Sequence, residues 1–91
     1  MKKIEKVLKA FANRRRLEIL QFIKEREKAS VGEIAHKISL SFKSTSKHLG
    51  VLFSADLIER EQVGLQIFYS IPSDKQRIVL LILNLLGLLP N

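Results

Sequence analysis

The sequence contains no cysteine and no tryptophan, and only two prolines and four glycines among its 91 residues. Without cysteine there is no disulfide framework, no thiolate metal site and no thiol nucleophile. Two histidines alone cannot close a tetrahedral zinc site, so a zinc finger is excluded. A secreted miniprotein is not expected, because nothing would staple so small a core. Long apolar runs are also lacking. Ile78 to Leu89 covers twelve residues, broken by Asn84 and Gly87. As a helix that stretch reaches about 18 Å, against about 30 Å of bilayer hydrocarbon. Met1-Lys2-Lys3 looks like the basic start of an export signal, but Glu5, Lys6 and Lys9 interrupt any apolar segment behind it. The expectation is a cytoplasmic protein that does not enter a membrane. There is no Gly-rich phosphate loop, no nucleophile–base pair and no carboxylate cluster. The acid pairs Glu25 with Glu27 and Glu59 with Glu61 sit among surface charges and read as solvated. Neither an enzyme nor a cofactor is expected.

What is present is globular in composition: 46% hydrophobic and 27% charged residues. Two cores do not fit in this length, so residues 1–91 form one domain. A chain of this size buries only about 60–65% of the surface its unfolded form exposes, which leaves a marginal core. Sixteen basic residues stand against nine acidic ones, a net charge of +7. The excess is concentrated early: residues 1–30 hold ten bases and four acids. Such a balance favours a polyanionic partner, nucleic acid or an anionic membrane surface.

Periodicity divides the chain into five helices and a hairpin of two strands. Ile4, Val7, Leu8 and Phe11 follow i, i+3, i+4, i+7, the stripe of an amphipathic helix. Asn13 caps a second helix carrying Leu17, Ile19, Leu20, Phe22 and Ile23, which ends in the solvated run Lys24–Lys28. Ser30-Val31-Gly32-Glu33 fits a capping box for a short third helix, with Ile34, Ala35 and Ile38 inward. Ser41 caps a fourth helix reaching about Ala55, and Asp56 stands where a left-handed stop is expected. Leu57–Glu61 and Ile67–Ile71 read as two strands around Val63-Gly64-Leu65-Gln66. Ser73-Asp74-Lys75-Gln76 is a second capping-box pattern, opening a last helix over about 73–89. The fold class is mainly α with a β-hairpin: four helices, two strands and a helix, the order of a winged helix-turn-helix.

At about 100° per residue, Phe42, Thr45, Leu49, Leu52 and Phe53 fall on one side of the fourth helix and read as its buried face. Lys43, Ser44, Lys47 and Val51 fall on the other side, and no acid occurs between Lys43 and Ala55. A helix that enters a major groove needs cations and hydroxyls for phosphates and base edges, and no carboxylate to be repelled.

Three ordered segments carry a resemblance to a known family: Ala12-Asn13-Arg14-Arg15-Arg16-Leu17-Glu18-Ile19-Leu20, then Val31-Gly32-Glu33-Ile34-Ala35, then Leu40-Ser41-Phe42-Lys43-Ser44-Thr45-Ser46-Lys47-His48-Leu49-Gly50-Val51-Leu52. Together they resemble the ArsR-type winged-helix repressors, most specifically at Ser46, His48, Leu49 and Leu52. The resemblance implies a homodimer that binds a palindromic operator in double-stranded DNA and usually represses transcription. Carried over by position, it puts Lys43, Ser44, Ser46, Lys47 and His48 toward DNA. Arg16 matches the family's arginine at the start of the second helix, which either reaches a phosphate or ties the helices together. Arg14 and Arg15 lie in the same first turn, where the helix dipole disfavours cations. Phe42 stands where the family often has Gln and is read as core packing. Thr45 replaces an aliphatic residue and is read as packing by its methyl group. Members that sense metal use Cys in the recognition helix or Asp, His and Glu on the last helix. This chain has none of these after Asp74, and His36 and His48 lie apart on separate helices, so no metal is expected. The family's cation after the hairpin Gly is replaced by Leu65 and Gln66, which weakens the wing, although Arg60 on the first strand can still meet a phosphate.

The last helix is apolar on all sides, from Ile78 through Leu89. One face can pack on the domain, and the remainder calls for a partner surface. A dimer interface is therefore expected from Ile4, Val7, Leu8 and Phe11 with Ile78, Leu81, Ile82, Leu85, Leu86 and Leu89. The alternative is a protein-interaction module that docks a different partner through the same helix, in an antitoxin-like or assembly role.

Overall fold

Asn13 separates the first two helices. Its side-chain oxygen accepts a bond from the Arg16 amide at 3.1 Å, capping α2 (Arg14–Arg26) just beyond the end of α1 (Lys2–Phe11). The computed structural model describes residues 2–88. After α2 come β1 (Lys28–Ser30), α3 (Val31–Ile38), α4 (Phe42–Ser54), β2 (Glu59–Val63) and β3 (Gln66–Ser70), then α5 (Gln76–Leu85). The expected winged helix-turn-helix order is present. The Ser30–Glu33 capping box forms in both directions: the Glu33 amide donates to Ser30 Oγ at 3.2 Å and the Ser30 amide to Glu33 Oε1 at 2.9 Å. Those bonds from Ser30 hold the Glu33 carboxyl below its ordinary range.

Helices α3, α4 and α5 end alike. A left-handed residue (Ser39, Asp56, Gly87) lets the next amide reach back to Ala35, Leu52 and Leu83 carbonyls at 2.9–3.0 Å. The left-handed stop expected at Asp56 is therefore in place, at φ 61°.

Three features depart from the sequence reading. First, the run after α2 does not simply end in solvent. Glu27 takes a left-handed turn at φ 70°, and Lys28–Ser30 pair with β3 in the register Ala29 to Tyr69. The result is a three-stranded antiparallel sheet, ordered β1-β3-β2. Second, the first wing strand starts at Glu59, not Leu57. Leu57 and Ile58 are buried, so the chain passes through the core before it pairs, with Arg60 opposite Tyr69. Third, no side-chain capping box opens the last helix. Ser73–Lys75 form a 3-10 turn, and Gln76 is used elsewhere. It accepts from Lys24 Nζ at 2.6 Å and donates to the Ile71 carbonyl at 2.8 Å, joining α2 to the start of α5. Regular helix ends at Leu85, and the Leu88 carbonyl accepts from Gln21 of α2.

The core joins all five helices with the sheet: Ala10, Leu20, Ile23, Ile34, Leu49, Leu52, Tyr69, Val79 and Leu83 are buried together. Only Val79 and Leu83 are buried among the residues of α5. Thr45 lies in this core with its hydroxyl unpartnered. Among the described residues no helix is long and apolar enough to cross a membrane.

Candidate nucleic-acid interface

Helix α4 follows α3 after a three-residue turn and starts at a Ser41 cap, whose hydroxyl accepts from the Ser44 amide at 3.1 Å. Thr45, Leu49 and Leu52 fasten it to the core. The opposite side projects Lys43 and Lys47 into solvent, Ser46 is exposed on the flank, and Ser44 is half-buried beside its cap. The N-terminal dipole and the two lysines act in the same direction on an anion placed there.

The two phenylalanines assigned to the buried face are not buried. Phe42 has the right azimuth but is the first residue of the helix, beyond the last layer of core, and it is 63% exposed. Phe53 carries the Arg60 guanidinium over its ring at 4.2 Å. That contact spans from α4 to the wing and holds exposed Arg60 beside the helix.

Arg16 ties helices together in the free chain. Its Nε donates to the Ala10 carbonyl and its Nη2 to the Lys9 carbonyl, both at 2.8 Å, satisfying the C-terminal end of α1. Its Nη1 lies 3.3 Å from His48 Nδ1. Arg15 does the same for α3, donating to the Ile38 carbonyl at 2.8 Å and to Glu18 at 3.1 Å. Two cations that the first turn of α2 disfavours are thus held against the negative ends of two other helices. Arg14 is exposed. His48, expected toward DNA, is half-buried and turns its Nδ1 to Arg16. Burial, then the charges of Arg16 and Arg15, lower its pKa from the ordinary value. For Arg16 Nη1 to donate across this contact, Nδ1 has to be the unprotonated nitrogen of the ring.

The structure also adds cations that the helical wheel did not assign. Lys6 and Lys9 of α1 line one cleft with Lys47, Gly50, Val51 and Ser54 of α4. The positive surface of α4 thus continues onto α1. The signal in the sequence was the excess of bases in residues 1–30, which periodicity alone could not place. At the wing, Gly64 takes φ 65° and Leu65 at the turn is fully exposed, with no cation at the tip.

On the proposed dimer face, Ile4, Leu8, Ile78, Leu81, Leu85 and Leu86 are exposed, and Val7 and Ile82 are half-buried. Phe11 is buried in the chain's own core and is not available to a partner, a correction to the expected interface. Leu89 lies outside the described residues. Among the described residues no group of three or more metal-ligating side chains converges.

The profile of the bacterial regulatory proteins of the arsR family matches residues 13–60, which includes α2, α3 and α4. The chain belongs to the ArsR family. This ArsR-family chain is similar to the transcriptional activator HlyU of Vibrio cholerae, 34% identical over 78 residues, covering 86% of this chain and 71% of HlyU. It is 38% identical over 84 residues to the nodulation protein NolR of Rhizobium meliloti, covering 92% of this chain and 63% of that protein. The solved structure of HlyU superposes with a TM-score of 0.81 over 91% of this chain and 90% of that one. A homodimeric winged helix-turn-helix DNA-binding domain of a possible ArsR-family regulator from Mycobacterium bovis gives a TM-score of 0.86 at 29% identity, covering 94% and 80% of the two chains. The fold and family are those of DNA-binding transcription regulators.

Proposed function

We propose that the protein is a homodimer that binds a palindromic operator, with α4 of each protomer in a major groove, and represses transcription where that operator overlaps a promoter. The reading is carried by one observation. Helix α4 is capped, free of acids, and exposes Lys43 and Lys47 on the side away from its core contacts, with Ser46 exposed on its flank. Lys6 and Lys9 lengthen this basic surface, and Arg60, held over the Phe53 ring, would meet a flanking phosphate. The exposed apolar side chains of α1 and α5 supply the second half of the reading. For a twofold pair formed through them to enter successive major grooves, its two copies of α4 have to lie about 34 Å apart, one helical turn of DNA. The relatives support transcription regulation and differ in its sign: HlyU is named an activator, and a Bacillus subtilis relative, 29% identical, is named an arsenical resistance operon repressor.

The test is selection of bound DNA from random duplexes, followed by titration of the recovered sequence at several salt concentrations. A palindrome is expected, with affinity falling steeply as salt rises. Lys43→Ala and Lys47→Ala should each weaken binding to all duplexes and lower the salt slope by about one ion per half-site. No sequence preference and no salt dependence would refute the reading. A purified chain that is monomeric, and soluble only with a second protein, would favour the docking-module alternative.

A further inference from the structure

We propose that Phe42 reads operator sequence, packing its ring against the 5-methyl group of a thymine in the major groove. The inference rests on the DNA-binding reading above and assigns that site a base preference.

Three observations converge on it. The core does not use the side chain: Phe42 is 63% exposed, whereas Thr45, one turn further along, is fully buried. An aromatic ring left in water at this position is stabilised by whatever later covers it. The second point is position. The recognition helix of a helix-turn-helix meets base edges with its N-terminal residues. Phe42 is the first residue of α4, directly before Lys43 and behind the Ser41 cap. In the DNA-bound arrangement proposed above the first turn of α4 enters the groove, which brings the ring as well as Lys43 next to the duplex. The third is chemistry. A phenyl ring offers no hydrogen-bond donor or acceptor to a base edge. Among the groups that base pairs display in the major groove, the thymine methyl is the apolar one. Phe42 shares its groove with Val31, Gly32, Leu65 and Ile67 and with the polar Ser30 and Gln66; no charged residue lines it, and the apolar side chains predominate. The surroundings thus favour an apolar contact over a polar one.

The test uses the full chain and a duplex recovered by selection. Each thymine is replaced in turn by deoxyuridine, which removes only the methyl group. Affinity is read by fluorescence anisotropy for the wild type, Phe42→Ala and Phe42→Leu. One thymine per half-site should prove sensitive in the wild type. The expected loss is about fourfold per site, the worth of one buried methyl group, and about sixteenfold with both sites replaced. Phe42→Ala should bind the thymine and deoxyuridine duplexes equally. Phe42→Leu, which keeps an apolar tip, should retain part of the difference. Circular dichroism should be unchanged in both variants, because the side chain lies outside the core. Salt-dependent, sequence-specific binding that is indifferent to every deoxyuridine would overturn the role of Phe42 and leave the regulator reading standing. The same sensitivity persisting in Phe42→Ala would overturn it equally. If the wild type binds no duplex, both readings fall.

Discussion

Replacing Leu81 and Leu85 with glutamate should convert the protein from dimer to monomer without unfolding it. The two side chains lie one turn apart on α5 and are 51% and 73% exposed in the single chain. Completing their burial is worth about 2–4 kcal/mol per protomer, and about twice that in a symmetric pair. Five residues (Ile4, Leu8, Leu81, Leu85 and Leu86) leave an exposed area equivalent to about three whole side chains, or about 9–18 kcal/mol for two protomers. Lost rotational and translational freedom takes back about 4–15 kcal/mol. The surplus is comparable to what the double substitution removes, before the cost of desolvating four carboxylates is added. Sedimentation equilibrium at micromolar concentration should therefore show a wild-type dimer, and a dissociation constant raised at least 1,000-fold in the variant (about 4 kcal/mol). Far-UV circular dichroism should be preserved, since Val79 and Leu83 hold α5 to the core. A variant that dimerises like the wild type would show that this face is not the interface. A monomeric wild type would show that the exposed strip has another occupant.

Other outcomes follow from the contacts beneath α4. Arg16→Ala should lower stability by about 2–4 kcal/mol in urea denaturation, because it leaves the Ala10 and Lys9 carbonyls at the end of α1 without their charged donor; a change under 0.5 kcal/mol would refute the tie. His48 has a pKa below its ordinary 6.5, so the unfolded chain binds the proton more readily than the folded one. Stability is thus complete above about pH 6.5 and falls as pH drops toward the lowered folded value, and His48→Gln should flatten that slope in melts between pH 7.5 and 5. Thr45→Val keeps the shape of the side chain and removes a buried hydroxyl that has no partner. It should gain about 1 kcal/mol, read as a melting temperature several degrees higher.

The elements that sequence made legible are those with local causes. Asn13, Ser30, Ser41 and Asp56 each act on backbone within a few residues, and each does what its chemistry suggests. The lysine side of α4 was legible for the same reason: one helical period relates Lys43 to Lys47 and separates them from Leu49. The Ser73–Gln76 pattern failed although it is chemically similar to Ser30–Glu33. Gln76 found better partners in Lys24 and Ile71, and Lys24 lies fifty-two residues away. Strand β1 was missed because Lys28-Ala29-Ser30 has almost no pattern of its own and is a strand only by pairing with β3.

Site residues divide along the same line. Composition, spacing and the ordered segments were enough to specify a basic winged helix with an apolar last helix, and the side of α4 that faces outward. Each of those depends on charge count or helical period, which a linear chain already contains. Whether a given side chain reaches DNA depends on what else comes within about 3 Å of it. Arg16 and His48 are drawn to each other and to the end of α1, while Phe42, on a nominally buried azimuth, is left in solvent because the core stops one turn short of it. Those outcomes are set by where the helices end relative to one another, a property of the packed domain that no local pattern encodes.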